Sequence, residues 1–124
     1  MTHLLHPDVS AMPLADLPLD RESVVAGAPK ASTAELAGLG GLEIGVWEIT
    51  AGTVTDVEVD EVMVVLSGSA SVTFEADGST IELGPGTAVR LRAGERTTWV
   101  ARSTSRSDPG LTAGCAGTSR SAAR

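Results

Sequence analysis

Glu61 is the residue of this sequence whose type and setting could most readily do chemistry. It lies in the stretch GTVTDVEVDEVMVVLSG, between Gly52 and Gly68, and opens an apolar strand pattern. A carboxylate withdrawn from water resists ionisation and can act as a general acid or base. It can equally be a structural group that accepts hydrogen bonds from backbone amides. Both interpretations stay open, and Glu61 is the single candidate catalytic residue.

Few other side chains in the chain could hold a metal ion. A transition-metal site needs three or four well-placed ligands. His3 and His6 lie near the start of the chain, where a preorganised site is rare. We therefore predict no metal and no other cofactor. Cys115 is the only cysteine, so no intramolecular disulfide can form.

Short strands must position these residues. Between residues 42 and 102 about seven short strand patterns alternate with turn signals, and the strongest hairpin signal is Asp77-Gly78. The segment SGSA, residues 67–70, is predicted to be another turn. Helical periodicity is nearly absent, so the pattern predicts an all-β sandwich or barrel.

The flanks of this region differ in composition. Residues 1–30 are rich in proline and predict an extended N-terminal arm with short edge pairings around Val24 and Val25. Residues 31–41 predict at most one helical turn. The small polar residues of 111–124 predict a tail, which leaves 31–110 as the barrel domain.

Charge and hydropathy limit the partners. The net charge is −7, from 16 acidic and 9 basic residues, which argues against nucleic acid and against anionic membrane surfaces. No apolar run is long enough to span a bilayer, and the start of the chain lacks the pattern of a signal peptide. We expect a cytoplasmic protein.

Four features carry a resemblance to a known family. They are GVWEITAG (45–52), the spacing from Glu61 to Gly68, the Asp77-Gly78 hairpin and LGPGTAVRLRAGERTTW (83–99). Together they resemble the cupin superfamily, in particular the small single-domain cupins that include ureidoglycine aminohydrolase-like and EutQ-like proteins. The resemblance implies a double-stranded β-helix, or jelly-roll barrel, with an N-terminal arm. It also implies a homodimer.

The same resemblance implies where metal ligands would lie. Metal-binding cupins supply two histidines and a glutamate from the first motif and a third histidine from the second. Here the first two positions fall on Val54 and Asp56, or on Thr55 and Val57 with the shorter spacing. The third falls on Thr97. None is histidine, so we expect a barrel without the usual His-ligated metal. Of the implied ligands only Glu61 remains, with Asp56 as a possible second oxygen ligand, and a weak site for a divalent ion at these two residues is left open.

The barrel would bring two strand faces together around a lumen. Glu61, Met63 and Val65 share one face, and Thr97, Trp99 and Ala101 share the other. Trp47 and Glu48 are neighbours on one strand, so only one of them can face inward. The candidates for contact with a small molecule in the lumen are Glu61, Met63, Thr97, Trp99, Trp47 and Glu48.

Three functions follow as alternatives. The first is small-molecule binding in the lumen without a His-ligated metal. The second is a ureidoglycine aminohydrolase-like or related hydrolase or isomerase step that uses Glu61 as acid or base. The third is an accessory or regulatory role as a dimeric partner protein. The sequence names no substrate.

Overall fold

Ten β-strands make up nearly all of the regular structure. The computed structural model describes residues 3–102 and 110–118. Two short 3-10 turns, Val9–Ala11 and Arg21–Ser23, lie in the N-terminal arm. The strands are β1 Ala15–Leu17, β2 Val24–Gly27, β3 Ala31–Leu39, β4 Leu42–Thr50, β5 Gly52–Val57, β6 Glu61–Phe74, β7 Thr80–Leu83, β8 Ala88–Leu91, β9 Arg96–Arg102 and β10 Gly110–Gly117. This confirms the predicted all-β fold.

The strands form two antiparallel layers that share β6. The first layer runs β1-β3-β4-β10-β6-β8, and the second runs β2-β5-β9-β6-β7. The first part of β6 pairs in the first layer, from Glu61 to Gly68, and the rest, from Ser69 onward, pairs in the second. The pairing of β2 with β5 confirms the predicted edge contact of the arm around Val24.

The core lies between the two layers. Met63, Leu91 and Leu111 are fully buried, with no exposed surface. The side chains of Val65 and Val72 are as deeply buried and come from the two halves of β6. Alternate residues of each strand therefore point into one apolar interior, as the strand patterns predicted.

Three local predictions are wrong. Residues 31–39 form strand β3 and not a helical turn, because β1 and β4 pair with its two edges. Pairing with neighbouring strands overrides the weak helical preference of an Ala-rich segment.

The predicted turn at 67–70 is instead the bend in the continuous strand β6. Gly68 has φ +88°, and a side chain there would overlap the carbonyl group of Gly110. Only glycine adopts this conformation without strain and also admits the neighbouring backbone. The bend carries the strand from one layer to the other.

The interpretation of residues 111–124 as a tail is also wrong over the part that the structure describes. Gly110–Gly117 is strand β10, which lies between β4 and β6 and closes the barrel. Its small residues fit this central place: a side chain at Gly110 would overlap the backbone of Ile49. Residues 119–124, the rest of the predicted tail, lie outside the described residues.

Both helical segments in the described part of the chain are single 3-10 turns. Neither they nor any other described segment is a helix of the length and apolar character that would cross a membrane.

Candidate functional site

A buried carboxylate, a hydroxyl and an indole form the main polar cluster of the interior. The carboxylate belongs to Glu58, which follows directly after β5 and is only 3% exposed. Its Oε2 accepts hydrogen bonds from Thr97 Oγ1 at 2.6 Å and from Trp99 Nε1 at 3.1 Å. Trp99 Nε1 also lies 3.0 Å from Thr97 Oγ1. We call these three residues the Glu58 cluster.

Strand alternation explains how Thr97 and Trp99 reach Glu58. Both residues lie on the inward face of β9, where they are 2% and 5% exposed. Glu58 is held opposite by backbone pairing: its amide donates to Glu95, and its carbonyl accepts from Gly94. Hydrogen bonds to a charged group contribute about 1.5–3 kcal/mol each to stability. The cluster therefore fixes the orientation of the Trp99 ring.

Trp47 faces Trp99 across the interior. The two ring centroids lie 5.8 Å apart, and the ring planes meet at 89°, an edge-to-face pair. The indoles differ in their hydrogen bonding, because Trp99 Nε1 is satisfied by the Glu58 cluster. Over the described part of the chain, the buried Nε1 of Trp47 has no hydrogen-bond partner. Trp47 is thus an inward-facing member of the predicted pair Trp47 and Glu48.

Glu48 lies on the outer face of β4. It pairs with Thr112 of β10, and the hydroxyl of Thr112 donates to Glu48 Oε2 at 3.4 Å. The structure therefore does not bring this predicted lumen candidate into the interior.

Glu61 and Met63 lie on the inward face of β6, as predicted. Glu61 is 4% exposed, at the start of the strand, where its backbone pairs with Gly117 and Leu91. Met63 is part of the packed core. The acidic group in contact with Thr97 and Trp99 is nevertheless Glu58, where the sequence pointed to Glu61.

The donor set does not fit the metal that cupins commonly bind. Asp56 lies on β5, and its Oδ1 accepts a hydrogen bond from the amide of Val57 at 2.9 Å. Within residues 3–102 and 110–118, no three His, Cys, Asp or Glu side chains lie close enough to hold a metal ion. His6 lies in the arm, where its Nδ1 accepts from the amide of Asp8. These residues therefore do not form a site for that metal.

A half-open cleft adjoins the Glu58 cluster. Its volume is about 210 Å³, and we call it the arm cleft because the N-terminal arm forms one wall. The hydroxyl of Thr55 donates to the carbonyl of Ser23 at 3.4 Å and ties this wall to β5. The lining residues are Asp20, Ser23, Thr55, Asp56, Val57, Glu75, Arg96 and Thr97.

Thr97 links the cleft to the interior. It lines the arm cleft and also donates to Glu58, which in turn holds Trp99. Two hydrogen bonds, from Thr97 to Glu58 and from Trp99 to Glu58, therefore connect the lining of the cleft with the Trp99 ring.

A second acidic residue joins the loop after β5 to the loop after β8. Asp60 Oδ1 lies 3.2 Å from Arg90 Nη2 and accepts from the amide of Ala93 at 3.1 Å. The Ala93 amide, with Arg90 in second place, lowers the pKa of Asp60 below its ordinary value of 3.8. This exposed pair is structural, and Arg90 points outward as strand alternation requires.

Glu58 and several residues of the arm cleft escaped prediction from the sequence. Glu58 follows the alternation of the preceding strand and so resembles an ordinary strand residue. The one indication that Glu58 belongs to the site is that a buried Thr hydroxyl and a buried indole need a hydrogen-bond acceptor. Asp20, Glu75 and Arg96 come from the arm, the β6–β7 loop and β9. No spacing in the sequence connects them.

Comparison with known proteins agrees with this architecture. A family model described as the EutQ-like cupin domain matches residues 36–107. No curated protein matches the chain. A solved structure of unknown function from Rhizobium leguminosarum bv. viciae 3841 is 28% identical, with a TM-score of 0.60, over 71% of this chain and 80% of that chain.

Two further solved structures share the fold. A DUF861-family protein of unknown function from Pseudomonas syringae pv. tomato str. DC3000 has a TM-score of 0.71 at 21% identity, over 87% of this chain and 45% of that chain. The EutQ protein of Clostridium difficile has a TM-score of 0.56 at 16% identity, over 75% of this chain and 66% of that chain.

The two-layered antiparallel barrel and these matches define a small cupin. Within that class, the chain belongs to the family of EutQ-like cupin domains. The resemblance seen in the sequence is confirmed.

Proposed function

We propose that this cupin binds a small molecule without a His-ligated metal, and that the molecule occupies the arm cleft. The observation that carries the proposal is the place of Thr97, which lines the cleft and belongs to the Glu58 cluster. Fully buried side chains fill the space deeper between the layers. The end of the barrel, where arm, β5 and β9 meet, therefore supports binding better than the centre.

Tryptophan fluorescence tests this proposal, because Trp47 and Trp99 are the only tryptophans in the chain. A mixture of small polar metabolites should change the emission of the wild type. Trp47→Phe leaves Trp99 as the sole reporter and should keep the response. Trp99→Phe should lose most of it. A response that survives in Trp99→Phe and disappears in Trp47→Phe would place the ligand elsewhere.

An acid–base step by Glu61 is a second candidate function. The burial of this carboxylate at 4% exposure favours it, because a desolvated acid can exchange protons with a bound molecule. Glu61→Gln should then abolish turnover of a molecule bound beside Glu61, while its affinity changes less than about twofold, or ~0.4 kcal/mol. Glu58→Gln is the matched control, because it makes the same change at the other buried glutamate. Unchanged turnover in Glu61→Gln would exclude this role.

We further propose that the chain forms a homodimer through the outer face of the first layer. Val62 and Val64 of β6 are 47% and 41% exposed on this face. The cross-strand neighbours are Ala116 and Arg90 for Val62, and Gly114 and Ala88 for Val64. A symmetric contact places like surfaces together, and the charge of Arg90 on this face is paired with Asp60 within the same chain.

Sedimentation velocity tests the dimer. The wild type should sediment as twice the chain mass, and Val62→Lys combined with Val64→Lys should sediment as the monomer. Val25→Lys is the matched control, because Val25 is 61% exposed on β2, in the other layer. A wild-type monomer, or a dimer that persists in the double variant, would refute this interface.

A further inference from the structure

Four charged residues line the arm cleft: Arg96, Asp20, Glu75 and Asp56. Arg96 is exposed on β9, and Asp20 and Glu75 are exposed on the arm and on the β6–β7 loop. Among the described residues, the Arg96 guanidinium has no carboxylate oxygen within 4.0 Å. Asp20 precedes a 3-10 turn, yet its side chain makes no capping hydrogen bond there.

Such separation is informative because the cleft is small. Arg96, Asp20 and Glu75 all line one space of about 210 Å³. Surface ion pairs gain little energy, so nothing forces these side chains together in the free protein. A guanidinium presents a fork of donors suited to a carboxylate, and a carboxylate accepts hydrogen bonds from an ammonium group.

The enclosed part of the cleft is also small, about 210 Å³. Sites for drug-sized molecules commonly measure roughly 300–1,000 Å³. A molecule with few non-hydrogen atoms therefore fits best. It would meet positive charge on the β9 side and negative charge on the arm side and at the β6–β7 loop.

We propose that the arm cleft recognises a small zwitterion, a molecule with an ammonium group and a carboxylate group joined by a short chain. Arg96 binds the carboxylate, and Asp20 with Glu75 binds the ammonium group. The inference rests on the proposed function and adds the chemical class of the ligand. The N-terminal arm then has a direct role, because it supplies Asp20.

Calorimetric titration with matched probes tests the charge requirement. The zwitterions are glycine, β-alanine, γ-aminobutyrate and 5-aminopentanoate, which scan the separation of the charges. Butyrate and butylamine each carry one of the two charges. At least one zwitterion should bind about tenfold or more tightly than both single-charge probes, a difference of ~1.4 kcal/mol.

Charge-removing variants identify the partners. Arg96→Gln should reduce the affinity for the best zwitterion to about that of butylamine, and Asp20→Asn combined with Glu75→Gln should reduce it to about that of butyrate. Arg92→Gln and Asp16→Asn make charge changes of the same kinds at exposed positions outside the cleft and should bind as the wild type does. Far-UV circular dichroism confirms that each variant is folded.

The outcomes separate this inference from the proposed function. If butylamine or butyrate binds as tightly as every zwitterion, or if Arg96→Gln binds the best zwitterion like the wild type, the zwitterion inference is wrong. Single-charge binding with a Trp99 response would still support small-molecule binding in the cleft. If none of the six probes binds, the zwitterion inference is wrong, and the fluorescence screen decides the proposed function separately.

Discussion

At the scale of the residue, one buried carboxylate, that of Glu58, organises the polar contacts of the interior. Glu58 accepts from both Thr97 and Trp99 through a single oxygen, Oε2. Removal of one donor leaves a buried carboxylate oxygen with less compensation for its lost hydration, which is costly. The Glu58 cluster is therefore predicted to stabilise the fold as well as to orient Trp99.

Thr97→Val tests this stabilisation. Valine keeps the shape and the strand preference but removes the hydroxyl that donates to Glu58. The free energy of unfolding, from urea denaturation, should fall by about 1–3 kcal/mol. Thr98→Val, at the next position of β9, should change it by less than about 0.5 kcal/mol. Equal losses in the two variants would show that the Thr97–Glu58 hydrogen bond adds no stability beyond that of the Thr98 hydroxyl.

Residue types alone predicted part of this picture. Glu61, Met63, Thr97 and Trp99 face inward as alternation required. Alternation did not single out Glu58, because Glu58 continues the pattern of β5 like an ordinary strand residue, and its backbone is held by the loop around Gly94. Contacts between residues 39 positions apart in the sequence, such as Thr97 with Glu58, depend on the closed barrel.

At the scale of the element, β6 joins the two layers and depends on its bend. Gly68→Ala would place a methyl group against the Gly110 carbonyl and force an alanine to keep a positive φ. Overpacking and backbone strain together should lower the free energy of unfolding by about 2–5 kcal/mol.

Gly78→Ala is the matched control for the bend. Gly78 also has a positive φ, +72°, but no atom lies within 4 Å of an added side chain. Its loss should be about 1–2 kcal/mol, from strain alone. If both variants lose the same free energy, the close approach of β6 and β10 is not what requires glycine at 68.

The loops at the ends of β5 and β8 predict a pH effect. The pKa of Asp60 is lowered in the folded chain, chiefly by the Ala93 amide. A lowered pKa stabilises the fold at pH values above the unfolded value of 3.8, and this contribution is lost as the pH falls through the lower folded value.

Asp60→Asn should therefore be less stable than the wild type at pH 7. The difference between the two should shrink as the pH falls below about 4. Thermal denaturation across this range measures it. A difference that stays constant down to pH 2 would contradict the ionic origin of the effect.

At the scale of the whole molecule, the sequence predicted the barrel but not its closure. Alternating apolar residues and the Asp77-Gly78 turn predicted the strands between 42 and 102, except at 67–70, where β6 continues through the predicted turn. Strand β10 was missed because Gly110, Gly114 and Gly117 are poor strand formers, and small residues also fit a tail. The advantage of these glycines becomes clear only in the folded barrel, where β10 lies between β4 and β6 and the backbones come close together.

The candidate site was likewise predicted only in part from the sequence. Its interior half follows from strand alternation, whereas the arm cleft needs three separate segments to meet: the arm, β5 with β9, and the β6–β7 loop. A family assignment could not supply the cleft, because Asp20 and Glu75 lie outside the motifs that carry the resemblance, although Arg96 lies within residues 83–99. The cleft is a property of the folded chain.

The most direct test of small-molecule binding is amide mapping by nuclear magnetic resonance. The uniformly ¹⁵N-labelled protein would be titrated with the zwitterion series. The account predicts saturable shifts of the backbone amides of Ser23, Asp56 and Thr97 and of the Trp99 indole, with the Val25 and Ile81 amides unmoved. Saturable amide shifts confined to other surfaces would contradict binding in the arm cleft. So would the absence of any change in tryptophan emission with the polar metabolites of the fluorescence screen.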